Sequence, residues 1–323
     1  MNPLAKGVLD GDRRSLARAI TLAESTRVDH RTDAEELLAE LLPHTGGAVR
    51  IGISGAPGAG KSTFIEALGL HLIERGHRVA VLAVDPSSTR SGGSILGDKT
   101  RMEQLTRADD AFVRPSPTRG TLGGVARRTR EVLLLCEAAA FDVVLVETVG
   151  VGQSEVAVAA MVDLFLVLVS PGGGDELQGI KRGIMELADL VVVNKADGDL
   201  AAAAATTASD YAAALHLVRP RTPAWSAQVL TCSALRGTGI AEVWTAIEAY
   251  CTAVASELDD RRADQAQAWM WSEVTETLVA SLRADPAVAE LAARLEADVA
   301  AGTVTPTAAA QAVLQAFLHG DSA

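Results

Sequence analysis

Cysteine is scarce in this 323-residue chain, and the three present, Cys136, Cys232 and Cys251, stand far apart. Such spacing excludes a disulfide framework and a cysteine-based metal centre, and it fits reduced, buried thiols in a cytoplasmic protein. The six histidines are also unclustered. Positive charge is in short supply: 29 Lys and Arg face 41 Asp and Glu, for a formal net charge of −12. That balance argues against non-specific nucleic-acid binding and against an anionic membrane surface. No apolar run is long enough to cross a bilayer, and Met1 to Arg14 lacks the apolar core of a signal peptide, so a cytoplasmic location is expected. No internal repeat is evident. What the chain has in quantity is apolar residues, 48% of the total. Much of this is alanine, which favours helix, and it is ample for the core of one α/β domain with helical additions.

One stretch organises the rest: Gly55-Ala56-Pro57-Gly58-Ala59-Gly60-Lys61-Ser62-Thr63. Its G-x-x-x-x-G-K-[ST] spacing is that of the phosphate-binding P-loop. Val49 to Ser54 before it reads as a short buried strand, and Thr63 to Glu74 after it has helical periodicity through Phe64, Leu68 and Leu72. A strand, a glycine-rich turn and a helix N-terminus together aim backbone N–H groups and the positive helix end at one anion. Lys61 is expected to reach the β- and γ-phosphates and the Ser62 hydroxyl to ligate Mg²⁺.

Further acidic and glycine-rich loops follow apolar strands. The strand Val79 to Val84 ends at Asp85, a carboxylate in the ligand crevice of an open α/β sheet. The polar segment Ser91 to Arg101 suits a loop that orders around a γ-phosphate, and its Asp98 is a candidate for the metal or the attacking water. Asp142 to Val146 reads as a strand leading to Glu147-Thr148-Val149-Gly150. The acid there is expected to act on Mg²⁺, and the Gly150 N–H to sense the γ-phosphate. Gln153 is a weaker candidate for orienting water. Leu164 to Val169 opens into Ser170 to Lys181, with three successive glycines, and reads as a switch loop. Leu190 to Val193 ends in Asn194-Lys195-Ala196-Asp197, the N-K-x-D pattern that reads guanine. The Asp197 carboxylate can accept from guanine N1–H and the N2 amine, whereas adenine offers an acceptor at N1 and no amine at position 2. Lys195 can lay its stem over the base and Asn194 can brace the loop. Ser233-Ala234-Leu235, after the strand Val229 to Cys232, stands where a backbone N–H meets guanine O6. Leu235 occupies the place where a lysine is common.

At the N-terminus two amphipathic helices are expected, one through Leu16, Ala19, Ile20 and Ala23. The other runs through Leu37, Leu38, Leu41 and Leu42, started by Thr32 and Glu35 at capping-box spacing. Ile240 to Val254 makes a closing helix. Beyond Glu257 the chain is helical without strands, at Trp269 to Leu282, Ala287 to Ala300 and Pro306 to Leu318, and holds two of the four tryptophans. The expected organisation is a helical segment at 1–46, a GTPase domain at 47–256 and a helical arm at 257–323. The arm is too small to bury its stripes alone and is expected to serve dimerisation. The expected fold is a P-loop α/β sandwich, mostly parallel, with helices on both faces and helical extensions at each end.

Taken together, Gly55 to Thr63, Asp85-Pro86-Ser87-Ser88, Gly92 to Met102, Glu147 to Ser154, Ser170 to Lys181 and Asn194 to Asp197 resemble the MeaB/ArgK-type, methylmalonyl-CoA mutase-associated GTPases of the SIMIBI class. The resemblance covers nearly the whole chain. It implies a homodimeric G-protein chaperone that uses GTP/GDP and Mg²⁺, and that gates cofactor delivery to an adenosylcobalamin-dependent acyl-CoA mutase while protecting it. It further implies that Asp85, Asp98 and Glu147 form the acidic, metal-facing part of the site, and that Ser170 to Lys181 communicates with the mutase. Related metal-delivering GTPases carry Cys- or His-rich motifs that this chain lacks. An older label for the family, a kinase of lysine/arginine/ornithine transport, is the alternative reading.

Overall fold

The computed structural model describes residues 2–25, 27–85, 102–117, 122–148, 154–172, 182–217 and 219–319. The chain divides into two compact units, Met1–Gln265 and Ala266–Ala323. The first is built on a seven-stranded sheet in the order β3-β2-β4-β1-β5-β6-β7. Its strands are β1 (Val49–Gly55), β2 (Val79–Asp85), β3 (Ala111–Pro117), β4 (Val143–Thr148), β5 (Leu164–Val169), β6 (Leu190–Val193) and β7 (Gln228–Thr231). Every neighbouring pair is parallel. Parallel strands need helical crossovers and are covered on both faces, which is why β1, β4, β5 and β6 are apolar runs with little alternation.

Helix α4 (Lys61–Glu74) crosses from β1 to β2, and α10 (Ile240–Val254) follows β7. Both cover the face carrying Ile51 and Ile53: Phe64, Ile65, Leu68 and Leu72 of α4 pack there with Val243, Trp244, Ile247 and Tyr250 of α10. The opposite face carries Gly52, where a Cβ would lie 2.8 Å from Phe165 and 3.0 Å from both Val158 and Val162. Hence α7 (Ser154–Ala159) sits tight against the sheet, beside α6 (Leu122–Ala138). Shorter helices α5 (Glu103–Arg107) and α8 (Arg182–Met185) and the alanine-rich α9 (Ala201–Leu215) lie in this unit's other crossovers.

Three aspartates fasten the strand starts. Asp142, Asp163 and Asp189 each stand one residue before β4, β5 and β6. Each carboxylate accepts a backbone N–H from a neighbouring strand or its lead-in: Arg78 at 2.8 Å, Arg50 at 2.9 Å and Phe165 at 2.8 Å. Burial pushes the Asp189 carboxyl up, against the opposing pull of the Arg221 guanidinium, which lies 2.9 Å from its oxygen. Asp163 is the busiest of the three. Arg262 forks onto it at 2.9 and 2.6 Å and also donates to the carbonyl of Ala48. Arg261 and Tyr250 donate to its own carbonyl at 2.9 and 2.7 Å.

These bonds correct one expected boundary. Trp269 does not open the helix beyond residue 257; α11 (Leu258–Ala284) starts eleven residues earlier. Asp259 and Asp260 in its first turn suit the positive end of the helix dipole, and Arg261 and Arg262 anchor it. The N-terminus needs two corrections. Helix α1 (Pro3–Leu9), capped by Asn2, was not foreseen and precedes α2 (Arg13–Ala23). Helix α3 (Val28–Leu41) begins at Arg27, so Thr32 and Glu35 lie inside it and form no capping box; Leu42 is exposed. The dipole-favoured Asp29 in the first turn and a 2.8 Å bond between Ser25 Oγ and His30 Nδ1 accompany that earlier start. The helices α2 and α3 pack on α6, and Glu24 pairs with Arg114 of β3.

In the second unit α12 (Pro286–Ala300) and α13 (Pro306–His319) pack on one another. Asp285 caps α12 by accepting from Ala287 N and Val288 N at 2.9 and 3.0 Å. The part of α11 within this unit exposes Met270, Trp271, Val274 and Leu278, spaced along one helical stripe. No helix among the described residues is long and apolar enough to cross a membrane. Burial raises the thiol of Cys232 to about 12 and that of Cys251 to about 11, and lifts Cys136 further still, so all three stay protonated at neutral pH.

Arg50 and Glu137 form a buried pair at 2.7 Å, with side chains only 6% and 1% exposed. Glu137→Ala leaves the guanidinium buried without its counter-charge, a change that typically costs about 3–5 kcal/mol. Urea unfolding of the variant should show a loss of that size. A loss below about 1 kcal/mol would mean Arg50 has a second partner of equal quality.

Candidate nucleotide site

The sheet's order reverses at β1: the chain runs outward to β2 and β3, returns to β4, then crosses to β5. Ligands of open parallel sheets bind outside the carboxyl ends of strands at such a reversal. Residues 55–63 emerge there. Gly55 has φ 152°, and a Cβ on it would lie 2.1 Å from the carbonyl oxygen of Leu168. Gly58 and Gly60 take φ of 87° and 90°, values that side-chain-bearing residues seldom adopt. Gly60 is also the N-cap of α4, without a side-chain cap, so the first-turn amides of that helix point toward the loop. Lys61, the first helical residue, curls back to donate to the carbonyls of Gly55 at 2.7 Å and Ala56 at 3.3 Å.

The Ser62 hydroxyl donates to Glu147 Oε1 at 3.2 Å. The pairing has a register cause, since Glu147 lies opposite Ile53 of β1 and Ala83 of β2 at the end of β4. Two hard oxygen donors so close together suit Mg²⁺, which prefers hydroxyl, carboxylate and water oxygens. Among the described residues no cluster of three or more His, Cys, Asp or Glu could hold a metal by itself. The backbone of Asp85 ends β2, two strands from β1. Asp98, Gly150 and Gln153, the expected loop Ser91 to Arg101, and residues 173–181 of the expected loop Ser170 to Lys181 lie outside the described residues.

The second half of the site follows β6 and β7. Asn194 is buried, and its amide joins two loops. Its Nδ2 donates to the Ala59 carbonyl at 2.9 Å, and its Oδ1 accepts from Ala234 N at 3.0 Å and from the Cys232 thiol at 3.6 Å. A Cβ on Gly60 would lie 2.6 Å from that Nδ2. Lys195 takes φ 59°, and its amine donates to the Gly58 carbonyl at 2.7 Å. A non-glycine residue held left-handed is a mark of a strained, over-determined loop. Asp197 follows with its carboxylate partly exposed and 3.7 Å from Arg236 Nε.

Of the amides in Ser233-Ala234-Leu235, that of Ser233 donates to Thr238 O at 2.9 Å and that of Ala234 to Asn194. The donor this turn offers to a ligand is the Leu235 amide, whose side chain is exposed. The sequence has Leu235 where a lysine is common, and a cation, Arg236, stands one position further on, near Asp197 only once the turn is folded.

A parallel sheet with a phosphate loop at its central strand and an N-K-x-D loop bonded to that loop defines a P-loop GTPase. Comparison with known proteins narrows the class. The family model described as methylmalonyl Co-A mutase-associated GTPase MeaB matches residues 16–287. A probable GTPase of Mycobacterium tuberculosis is 57% identical over 314 residues, covering 97% of this chain and 94% of that protein. The mitochondrial methylmalonic aciduria type A homolog of Mus musculus is 48% identical over 329 residues, covering 97% and 79%. A crystal structure of a LAO/AO transport system kinase superposes with TM-score 0.78 at 39% identity, covering 98% of this chain and 99% of that one. This chain belongs to the MeaB family of methylmalonyl-CoA mutase-associated GTPases.

Removing the Asn194 amide strands a buried carbonyl and a buried N–H, each a penalty of about 1–3 kcal/mol. Asn194→Ala should therefore weaken GDP binding by about tenfold or more, read by fluorescent-nucleotide titration. Asn194→Asp should do no better, because it sets an oxygen against the Ala59 carbonyl. Wild-type affinity in both variants would show that the loops are positioned without this bridge.

Proposed function

We propose that this chain is a GTP-hydrolysing chaperone that gates cofactor delivery to an adenosylcobalamin-dependent acyl-CoA mutase and protects that mutase. The observation that supports the nucleotide half is the fastening of Asn194 and Lys195 to the phosphate loop, which ties the segment carrying Asp197 to that loop. A carboxylate there accepts from N1–H and the N2 amine of guanine and repels adenine N1. The mutase half is supported by family membership and by the name of the mouse relative.

Catalysis in this reading is positioning and charge neutralisation. Lys61 and the loop amides hold the β- and γ-phosphates, and Ser62 with Glu147 and the other acids, Asp85 and Asp98, holds the cation. When bound, Mg²⁺ neutralises charge that develops on the transferring phosphoryl group. One of those carboxylates orients the attacking water, and the products are GDP and phosphate. Turnover is slow for the protein alone and raised by the mutase, which reads a nucleotide-dependent change in the segments at 85–101, 147–156 and 170–181. The exposed stripe Met270, Trp271, Val274 and Leu278 supports a homodimer formed by the C-terminal helices. The kinase reading, which the name of the solved relative favours, requires transfer of the γ-phosphate to an acceptor other than water.

Asp197→Asn should weaken GTP by about a hundredfold and favour xanthosine triphosphate, because an amide meets the xanthine carbonyl where a carboxylate met the amine. Calorimetry decides it, and unchanged GTP affinity would refute base reading by Asp197. Lys61→Ala should lose tight binding of either nucleotide. For the assembly, sedimentation should give a dimer for the wild type and a monomer for Trp271→Glu with Leu278→Glu; an unaltered dimer would move the interface elsewhere.

A further inference from the structure

Beside the carboxylate assigned to guanine stands a cation with no role in the reading above. Arg236 Nε lies 3.7 Å from Asp197 Oδ2, an ion pair too long to be a hydrogen bond. Its backbone is tightly held. Arg236 N donates to both the carbonyl and the hydroxyl of Ser233, each at 3.2 Å, and Ser233 pairs across the turn with Thr238. Gly239 closes that turn at φ 79°, with 2.5 Å between the place of a Cβ and the carbonyl oxygen of Thr231. The side chain, by contrast, is 71% exposed. A held backbone with an exposed guanidinium in a long ion pair is suited to moving on and off its neighbour.

Guanine needs both oxygens of the carboxylate, one for N1–H and one for the N2 amine. A guanidinium drawn to the same carboxylate competes for those lone pairs and lowers the negative potential the base would meet. We infer that Arg236 is a specificity-site counter-ion that competes with guanine for Asp197, so that the chain itself weakens its base contact and speeds nucleotide release. The inference rests on the base-reading role proposed for Asp197.

The test is the dissociation rate and affinity of a fluorescent GDP analogue for the full chain and for Arg236→Ala. Removing an exposed ion pair of this kind should slow release and tighten binding by about two- to fivefold. The ratio between the two proteins should approach one near 1 M salt, where the screening length falls to about 3 Å; the nucleotide's own salt dependence cancels in that ratio. In an Asp197→Asn background with xanthosine diphosphate, where no carboxylate remains to be held, Arg236→Ala should change nothing. Faster or unchanged release in Arg236→Ala would overturn the inference, as would an effect that survives high salt or the Asp197→Asn background. The two layers separate cleanly. If Asp197→Asn itself leaves GDP affinity unaltered, the base-reading role fails and takes this inference with it. If Asp197→Asn weakens GDP while Arg236→Ala does not tighten it, only the competition fails.

Discussion

The site depends on one buried amide. Asn194 gives its N–H to the phosphate loop at Ala59 and takes an N–H from Ala234 in the turn after β7. An amide can do both at once, whereas a carboxylate lacks the donor and an alkyl group lacks either. Neighbouring residues are constrained by that choice. Gly60 has no room for a side chain against Asn194 Nδ2, and Lys195 is held at a positive φ with its amine on Gly58. The phosphate loop and the N-K-x-D loop are thus two parts of one hydrogen-bonded unit.

The two edges of the sheet divide the work. Carboxyl ends of β1, β4 and β6 present Lys61, Ser62, Glu147 and the base loop. Amino ends are knotted by Asp142, Asp163 and Asp189, each accepting a neighbour's backbone N–H. Parallel strands leave such N–H groups unpaired where they begin, and an aspartate at the lead-in satisfies them. The buried Arg50–Glu137 pair and the Arg262 fork on Asp163 add charge-assisted bonds at the same edge. These bonds lie at the end of the sheet opposite the phosphate loop.

Much of this was legible in the sequence because the informative signals are local. Gly55 to Thr63 and Asn194 to Asp197 carry their chemistry in consecutive residues, and the apolar strands announce a parallel sheet. What escaped notice was relational. Arg236 gains meaning only when the turn after β7 folds against Asp197. The start of α11 at Leu258 is set by Arg261 and Arg262 reaching Asp163, about a hundred residues away in the chain. The Thr32–Glu35 spacing resembled a cap, yet local contacts at Ser25 and Asp29 begin α3 a turn earlier. Asp142 was expected inside its strand, yet it stands one residue before β4, and like Asp163 and Asp189 it acts through a bond to a residue distant in the chain or on a neighbouring strand.

The measurement that bears most directly on the central claim is steady-state hydrolysis by the purified chain with Mg²⁺, using GTP and ATP, each with and without an adenosylcobalamin-dependent acyl-CoA mutase. The account predicts slow GTP turnover alone, faster turnover with the mutase, and none with ATP. Equal turnover of ATP would contradict the guanine-reading site, and a GTP rate indifferent to the mutase would contradict the proposed partner.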